Sequence, residues 1–215
     1  YGLESRISLK GSLKRQIQNF AAFQRLADAP QSDIINEARA IGKRVLRRQN
    51  FLRMFGVGDL QVGSIRFINA LTQECPALDV WVSTRKFYQA AKLITKPNLH
   101  VMLSLDSTTP KDLSAFAKKM AKNRGPQFYL AWVQQTPDEK VPRGIKVIFA
   151  EHHFHTGRAL WSAVETDRRT CPATVRGGAA HENACEVCRF CFTTKKRRST
   201  PLTKGGHHVS LQVIR

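Results

Sequence analysis

Four cysteines, Cys171, Cys185, Cys188 and Cys191, crowd toward the carboxyl end of the chain, and the last three run as Cys-x2-Cys-x2-Cys. Thiols that close together, in a chain whose first twenty residues carry no apolar export block, point to a metal rather than to disulfides. Zinc sites usually pair two Cys-x2-Cys knuckles across a longer loop. Three cysteines in one unbroken run plus a remote fourth match the ligation of a [4Fe–4S] cluster better, because a cube offers iron corners far enough apart for closely spaced ligands. The remote ligand is then Cys171, beside Pro172. Zinc is the alternative, with His181 or His207 replacing one thiolate. The fifth cysteine, Cys75, ends a helical stretch and reads as a small buried residue.

A second set of candidates sits where apolar runs end. Asp59, Thr84-Arg85-Lys86, Asp106 and Glu151-His152-His153 each close a predicted strand. Ligands of parallel α/β folds bind at the carboxyl ends of strands. Asp59, Asp106 and His152 are therefore candidate acid–base or metal-binding groups, and Arg85 a candidate stabiliser of developing negative charge. Capping of the following helices is the competing role for both aspartates. Trp81, Trp132 and Trp161 lie in apolar surroundings and read as core. The Gly56-Val57-Gly58 turn completes neither a phosphate loop nor a dinucleotide fingerprint.

Charge supplies the third signal. The chain of 215 residues carries 35 Lys and Arg against 16 Asp and Glu, a net +19. An excess of this size on a chain with 42% hydrophobic residues suits a globular protein that meets a polyanion. The cations are clustered: Lys43, Arg44, Arg47 and Arg48, with Arg53 close by; Lys111, Lys118, Lys119, Lys122 and Arg124; and Lys195, Lys196, Arg197 and Arg198. Around the cysteines, Arg168, Arg169 and Arg189 add to the last group. Clusters of this kind track phosphates, so nucleic acid, DNA or RNA, is the expected partner.

The elements that must position these groups follow from periodicity. Residues 1–50 read as a basic helical segment, with a second helix starting after Pro30, capped by Ser32 or Asp33, and carrying Ile34, Ile35, Ala38 and Ile41 on one face. Residues 51–165 then alternate. Strands are expected at Phe51–Val57, Val80–Val82, Leu99–Leu105, Phe128–Val133 and Ile145–Ala150. Helices are expected through Ile65, Ile68 and Leu71, through Ala90 and Leu93, and after Pro110. Pro137 and Pro142 flank a polar loop that predicts a helix-free link between the last two strands. Strands alternating with helices predict an α/β fold with a partial barrel-like or open, mostly parallel sheet. Residues 166–215 read as a small, basic, cysteine-rich lobe organised by the metal, ending in an alternating strand at Val209–Ile214. No apolar run approaches the roughly 18 residues a membrane span requires, so no membrane role and a cytoplasmic location are expected. An upstream segment is also expected, because the first residue is Tyr1.

Taken together, several stretches resemble the phage and plasmid "gene product 88" family. Arg53-Met54-Phe55-Gly56-Val57-Gly58-Asp59-Leu60 is similar to its glycine–aspartate strand end. Cys75-Pro76 with Val80 through Lys86 is similar to its proline-led strand closing on threonine–arginine. Leu99 to Asp106 resembles the next strand, and Thr170-Cys171-Pro172-Ala173 with Cys185 through Cys191 its carboxyl-terminal cysteine motif. The resemblance covers residues 50–192 and implies a mobile-element origin, hence the host cytoplasm. The Cys-x3-Cys-x2-Cys triad used in radical chemistry does not occur in this sequence.

Three functions are compatible with these readings. The first is a nucleic-acid-binding protein whose four-cysteine centre, [4Fe–4S] or zinc, orders a basic lobe. The second is a metal-dependent enzyme acting on nucleic acid through the strand-end crevice. The third is a structural component of a ribonucleoprotein or virion.

Overall fold

The computed structural model describes residues 10–54, 59–136 and 139–150. The expected cysteine-rich lobe, the strand expected at Val209–Ile214, Trp161, His152 and every cation from Arg168 onward lie outside the described residues.

Two helices open the chain, α1 (Lys10–Asp28) and α2 (Gln31–Leu46). The second starts at Gln31, ahead of both expected caps, Ser32 and Asp33. Pro30 itself is the N-cap, its carbonyl accepting from the amides of Asp33 (3.1 Å) and Ile34 (3.3 Å), while Ser32 bonds to the Asp33 carboxylate instead. Proline serves here because a cap position needs an extended ψ and no amide donor of its own. Ile34, Ala38 and Gly42, four apart, form the buried stripe of α2.

That stripe packs on α3 (Val62–Glu74), and so does α1. Both approaches are close. A β-carbon on Gly42 would stand 2.2 Å from the Cys75 sulfur, and one on Gly63 only 1.8 Å from the Phe23 carbonyl oxygen. Arg66 on α3 donates to the Leu26 (3.2 Å) and Ala27 (2.7 Å) carbonyls, placing a cation on the orphan acceptors at the end of α1.

The remaining elements among the described residues are β1 (Phe51–Met54), β2 (Asp79–Thr84), α4 (Phe87–Ala90), β3 (Leu99–Leu105), α5 (Lys111–Asn123), β4 (Phe128–Gln134) and β5 (Ile145–Ala150). Helix α4 is a single turn and stops short of Leu93, which is nevertheless buried. The strands form one five-stranded sheet in the order β1-β2-β3-β4-β5, every pair parallel. This confirms the α/β class and the parallel pairing expected from the alternation.

The order never reverses, so the sheet is wound in one sense. Helix residues Ile34, Ala38, Ile68, Leu71, Ala90, Ala117 and Met120 share one cluster with alternate strand residues, including Val80, Val82, Val101, Leu103 and Leu130. The other strand residues, Trp81, Met102, Tyr129, Ala131 and Val147, form a separate cluster with no described helix residue in it. Strands with apolar residues on both faces read as unbroken hydrophobic runs, and β3 is buried at all seven positions.

Two departures shape this sheet. A bulge shifts the β4–β5 register, pairing Leu130 with Ile145 but Ala131 with Val147. The extra residue, Lys146, leans its ammonium over the Tyr129 ring at 4.1 Å. The link between β4 and β5 shows no helix among its described residues, in agreement with the reading of Pro137 and Pro142. Its ten residues (135–144) can span about 33 Å extended, enough to run back along a strand of roughly 20 Å.

Candidate functional site

The carboxyl ends of β2 and β3 lie side by side because Thr84 pairs with Leu103. On the face away from the helices, Trp81 and Ser83 succeed one another on β2 with Arg85 just past its end, and Met102 and Ser104 on β3 with Asp106 just past its end. The Ser83 and Ser104 hydroxyls meet at 3.2 Å. One layer further toward the edge, Arg85 Nη1 stands 2.7 Å from Asp106 Oδ2.

Asp106 is held from the other side as well. Its Oδ1 accepts the Thr108 amide (3.0 Å), the Thr108 hydroxyl (2.7 Å) and the Thr109 hydroxyl (3.0 Å). Burial alone pushes this carboxyl up, but the Thr108 hydroxyl, the Arg85 charge, the Thr109 hydroxyl and the Thr108 amide together outweigh it and hold it below the usual carboxylate range. Asp106 is therefore an anion at neutral pH.

Asp59, which lies between β1 and α3 in the chain, joins the same network. One carboxylate oxygen accepts the Thr84 hydroxyl and the Leu60 amide, and the other accepts the Arg85 amide at 3.0 Å. Thr84 in turn accepts the Lys86 amide at 3.0 Å. Asp59 thus fixes the backbone on which Arg85 stands, and Asp106 fixes its guanidinium. The structure brings together three of the four acid–base candidates, Asp59, Arg85 and Asp106; His152 lies outside the described residues.

The sequence reading missed the two threonines that hold Asp106. The signal was present in Asp106-Ser107-Thr108-Thr109-Pro110, where an aspartate followed by hydroxyl residues and a proline is the composition of a side-chain-closed turn. It also missed three polar residues at the opposite edge. His100, the one basic residue in the β3 run, lies 3.5 Å from the Asp79 carboxylate and is 7% exposed. Burial lowers its proton affinity; Asp79 raises it in part, and Lys146 lowers it again. Asn98 donates to the carbonyls of Thr72 (3.2 Å), Cys75 (3.1 Å) and Leu78 (2.9 Å), closing the turn from α3 into β2.

The cationic runs separate into free and committed charges. Lys43, Arg44, Arg47 and Arg48 are exposed at the end of α2, and none makes an ion pair among the described residues. Lys111, Lys118, Lys119 and Lys122 are exposed along α5. Arg124 is different: it donates to the Leu93 carbonyl at 2.7 Å and stacks on Phe128, so it serves the fold. Helix α2 packs on α3 and β1, and α5 on α4, β3 and β4, so the two runs sit toward opposite ends of the sheet.

Cys75, Trp81 and Trp132 are buried, as their apolar contexts predicted. Among the described residues no group of three or more His, Cys, Asp or Glu is placed to hold a metal, and no helix is long and apolar enough to cross a membrane.

A singly wound parallel α/β sheet with a carboxylate–arginine network at its carboxyl edge defines the class. Within that class the family is also established: the model described as Gene product 88 matches residues 6–194, and the chain belongs to that family. No curated protein and no solved structure matches it.

Proposed function

We propose that this chain is a nucleic-acid-binding protein of a phage or mobile element, acting in the host cytoplasm, that grips phosphates through distributed lysines and arginines. The observation that carries this reading is the net +19 together with exposed Lys43, Arg44, Arg47 and Arg48, which have no carboxylate partners among the described residues. Cations left without acidic partners are available to displace the counterions of a polyanion. Part of their placement also serves the fold, since Lys43 and Arg44 complement the α2 dipole in its last turn.

The spacing of Cys171, Cys185, Cys188 and Cys191 supports a four-cysteine centre, a [4Fe–4S] cluster or else zinc, in a small lobe beside Arg168, Arg169, Arg189 and Lys195–Arg198. Its work in this reading is to order that lobe and present its cations.

The test is titration of duplex DNA and of RNA at several salt concentrations. Six to ten phosphate contacts would weaken binding about 10³- to 10⁵-fold between 50 and 200 mM salt. Replacing Lys43, Arg44, Arg47 and Arg48 with Gln should flatten the slope by up to about four, since each phosphate contact adds roughly 0.9 to it. Absence of binding at low salt removes the proposal.

A second reading is favoured by the convergence of Asp59, Arg85 and Asp106 at one sheet edge: a metal-dependent enzyme acting on nucleic acid. Loss of turnover in Asp59→Asn and Asp106→Asn chains that still bind nucleic acid would establish it, and unchanged turnover would leave binding alone.

A further inference from the structure

We infer that the carboxyl edge of β2 and β3 holds a discrete site for one phosphomonoester, gripped by Arg85 above the Ser83 and Ser104 hydroxyls. This deepens the nucleic-acid reading and rests on it only for the bearer of the phosphate.

The argument begins with what holds Arg85. Its side chain is 49% exposed, while that of Asp106 is 4% exposed. A surface ion pair gains little, and burying a carboxylate is costly unless its lone pairs are filled. Here three donors from Thr108 and Thr109 fill one oxygen, leaving the other for Arg85 Nη1. A second carboxylate, Asp59, holds the Arg85 amide. Two acids thus orient one arginine, yet of its guanidinium only Nη1 has a partner among the described residues. The remaining donors form a preset fork, the geometry that matches two oxygens of a phosphate.

Position and surroundings agree. The site lies at the carboxyl edge of a parallel sheet, where phosphates of ligands are received. Beneath Arg85, Ser83 and Ser104 offer hydroxyls that now bond to each other. Beside Ser104 in the register is the small, buried Ala131, packed with Trp81, Met102 and Tyr129 as the apolar floor next to the two hydroxyls. Lys86 is exposed next to Arg85. Both nearby carboxylates are engaged by donors, Asp106 by Arg85 and the two threonines and Asp59 by the Thr84 hydroxyl and the Leu60 and Arg85 amides, which limits their repulsion of an incoming anion.

The test uses inorganic phosphate as probe, followed by ³¹P NMR and thermal shift at constant ionic strength. Wild-type chain should bind one phosphate saturably. Arg85→Gln should weaken binding at least tenfold, and Arg85→Lys, which keeps the charge but loses the fork, should fall between. Both variants alter a half-exposed side chain, and circular dichroism checks that they fold. No saturable binding by wild type, or equal binding by Arg85→Gln, overturns the site.

A second arm compares oligonucleotides with a 5′-phosphate and a 5′-hydroxyl. A preference of about tenfold for the phosphorylated end, lost in Arg85→Gln, assigns a nucleic-acid terminus. Phosphate binding with no such preference supports the same site serving a free phosphomonoester. Because the first arm needs no oligonucleotide, it can succeed even where salt-dependent nucleic-acid binding fails.

Discussion

Replacing Asp106 by Asn tests whether the strand-end network is built on a buried charge. If the asparagine carbonyl keeps the Thr108 and Thr109 donors, its amide must face Arg85 Nη1 at the 2.7 Å now occupied by an acceptor. Two donors cannot share that distance, so Arg85 swings into water. Loss of a charge-assisted bond costs about 1.5–3 kcal/mol when both partners are buried, and roughly half that here because half-exposed Arg85 rehydrates. Three further bonds pass from a charged to a neutral acceptor, weakening by about 0.5 kcal/mol each. Relief of the buried charge offsets part of the sum, leaving a net loss of about 2 kcal/mol. For a chain of this size that lowers Tm by about 4–8 °C.

The pH dependence gives a second handle on the same change. The Asp106 carboxyl is held below its ordinary value in the fold, so its contribution is complete above the unfolded value near 3.8 and disappears as pH falls through the folded one. The stability gap between wild type and Asp106→Asn, measured by urea denaturation, should therefore be full at pH 7 and narrow only under strong acid. A variant as stable as wild type at pH 7, or a gap that widens on acidification, would refute the reasoning.

Gly63→Ala should be the most disruptive small change in the helical layer. Its new methyl meets the Phe23 carbonyl and the Ala27 amide, both backbone, so α1 must lift from α3 at a cost of about 3 kcal/mol, read as a lowered urea midpoint. Cys75 is buried and its thiol is pushed up by burial, with Glu74 adding to the effect. Peptide mapping after native alkylation should find it unmodified, and rapid labelling would contradict its placement. His100 should titrate below the ordinary histidine value of 6.5, followed by its ring resonances in NMR; a midpoint above 6.5 would mean Asp79 outweighs burial. Metal analysis of anaerobically purified protein should show iron and a broad band near about 400 nm, and stoichiometric zinc in colourless protein would assign the alternative centre.

Periodicity and turn chemistry act between near neighbours, and that much the amino-acid order determines by itself. β3 and β5 run from Leu99 to Leu105 and from Ile145 to Ala150 as the apolar runs predicted, and the charge excess is a property of composition. The start of α2 after Pro30 and its buried Ile34 and Ala38 were also legible, but its cap was not. Ser32 and Asp33 have the chemistry of caps, and the extended ψ of 146° at Pro30 decided the matter. Cysteine spacing proposes a metal by the same near-neighbour logic.

Tertiary structure alone decided which side chains meet. Arg85 and Asp106 are 21 residues apart and pair only because β2 and β3 align Thr84 with Leu103. A shift of one residue would have turned one of them toward the helices. The bulge that aims Lys146 at Tyr129, and the glycines at positions 42 and 63 that admit Cys75 and the α1 backbone, are likewise products of packing between distant segments. Local preference has a range of a few residues, whereas register and interhelical distance are set where all the elements share one core.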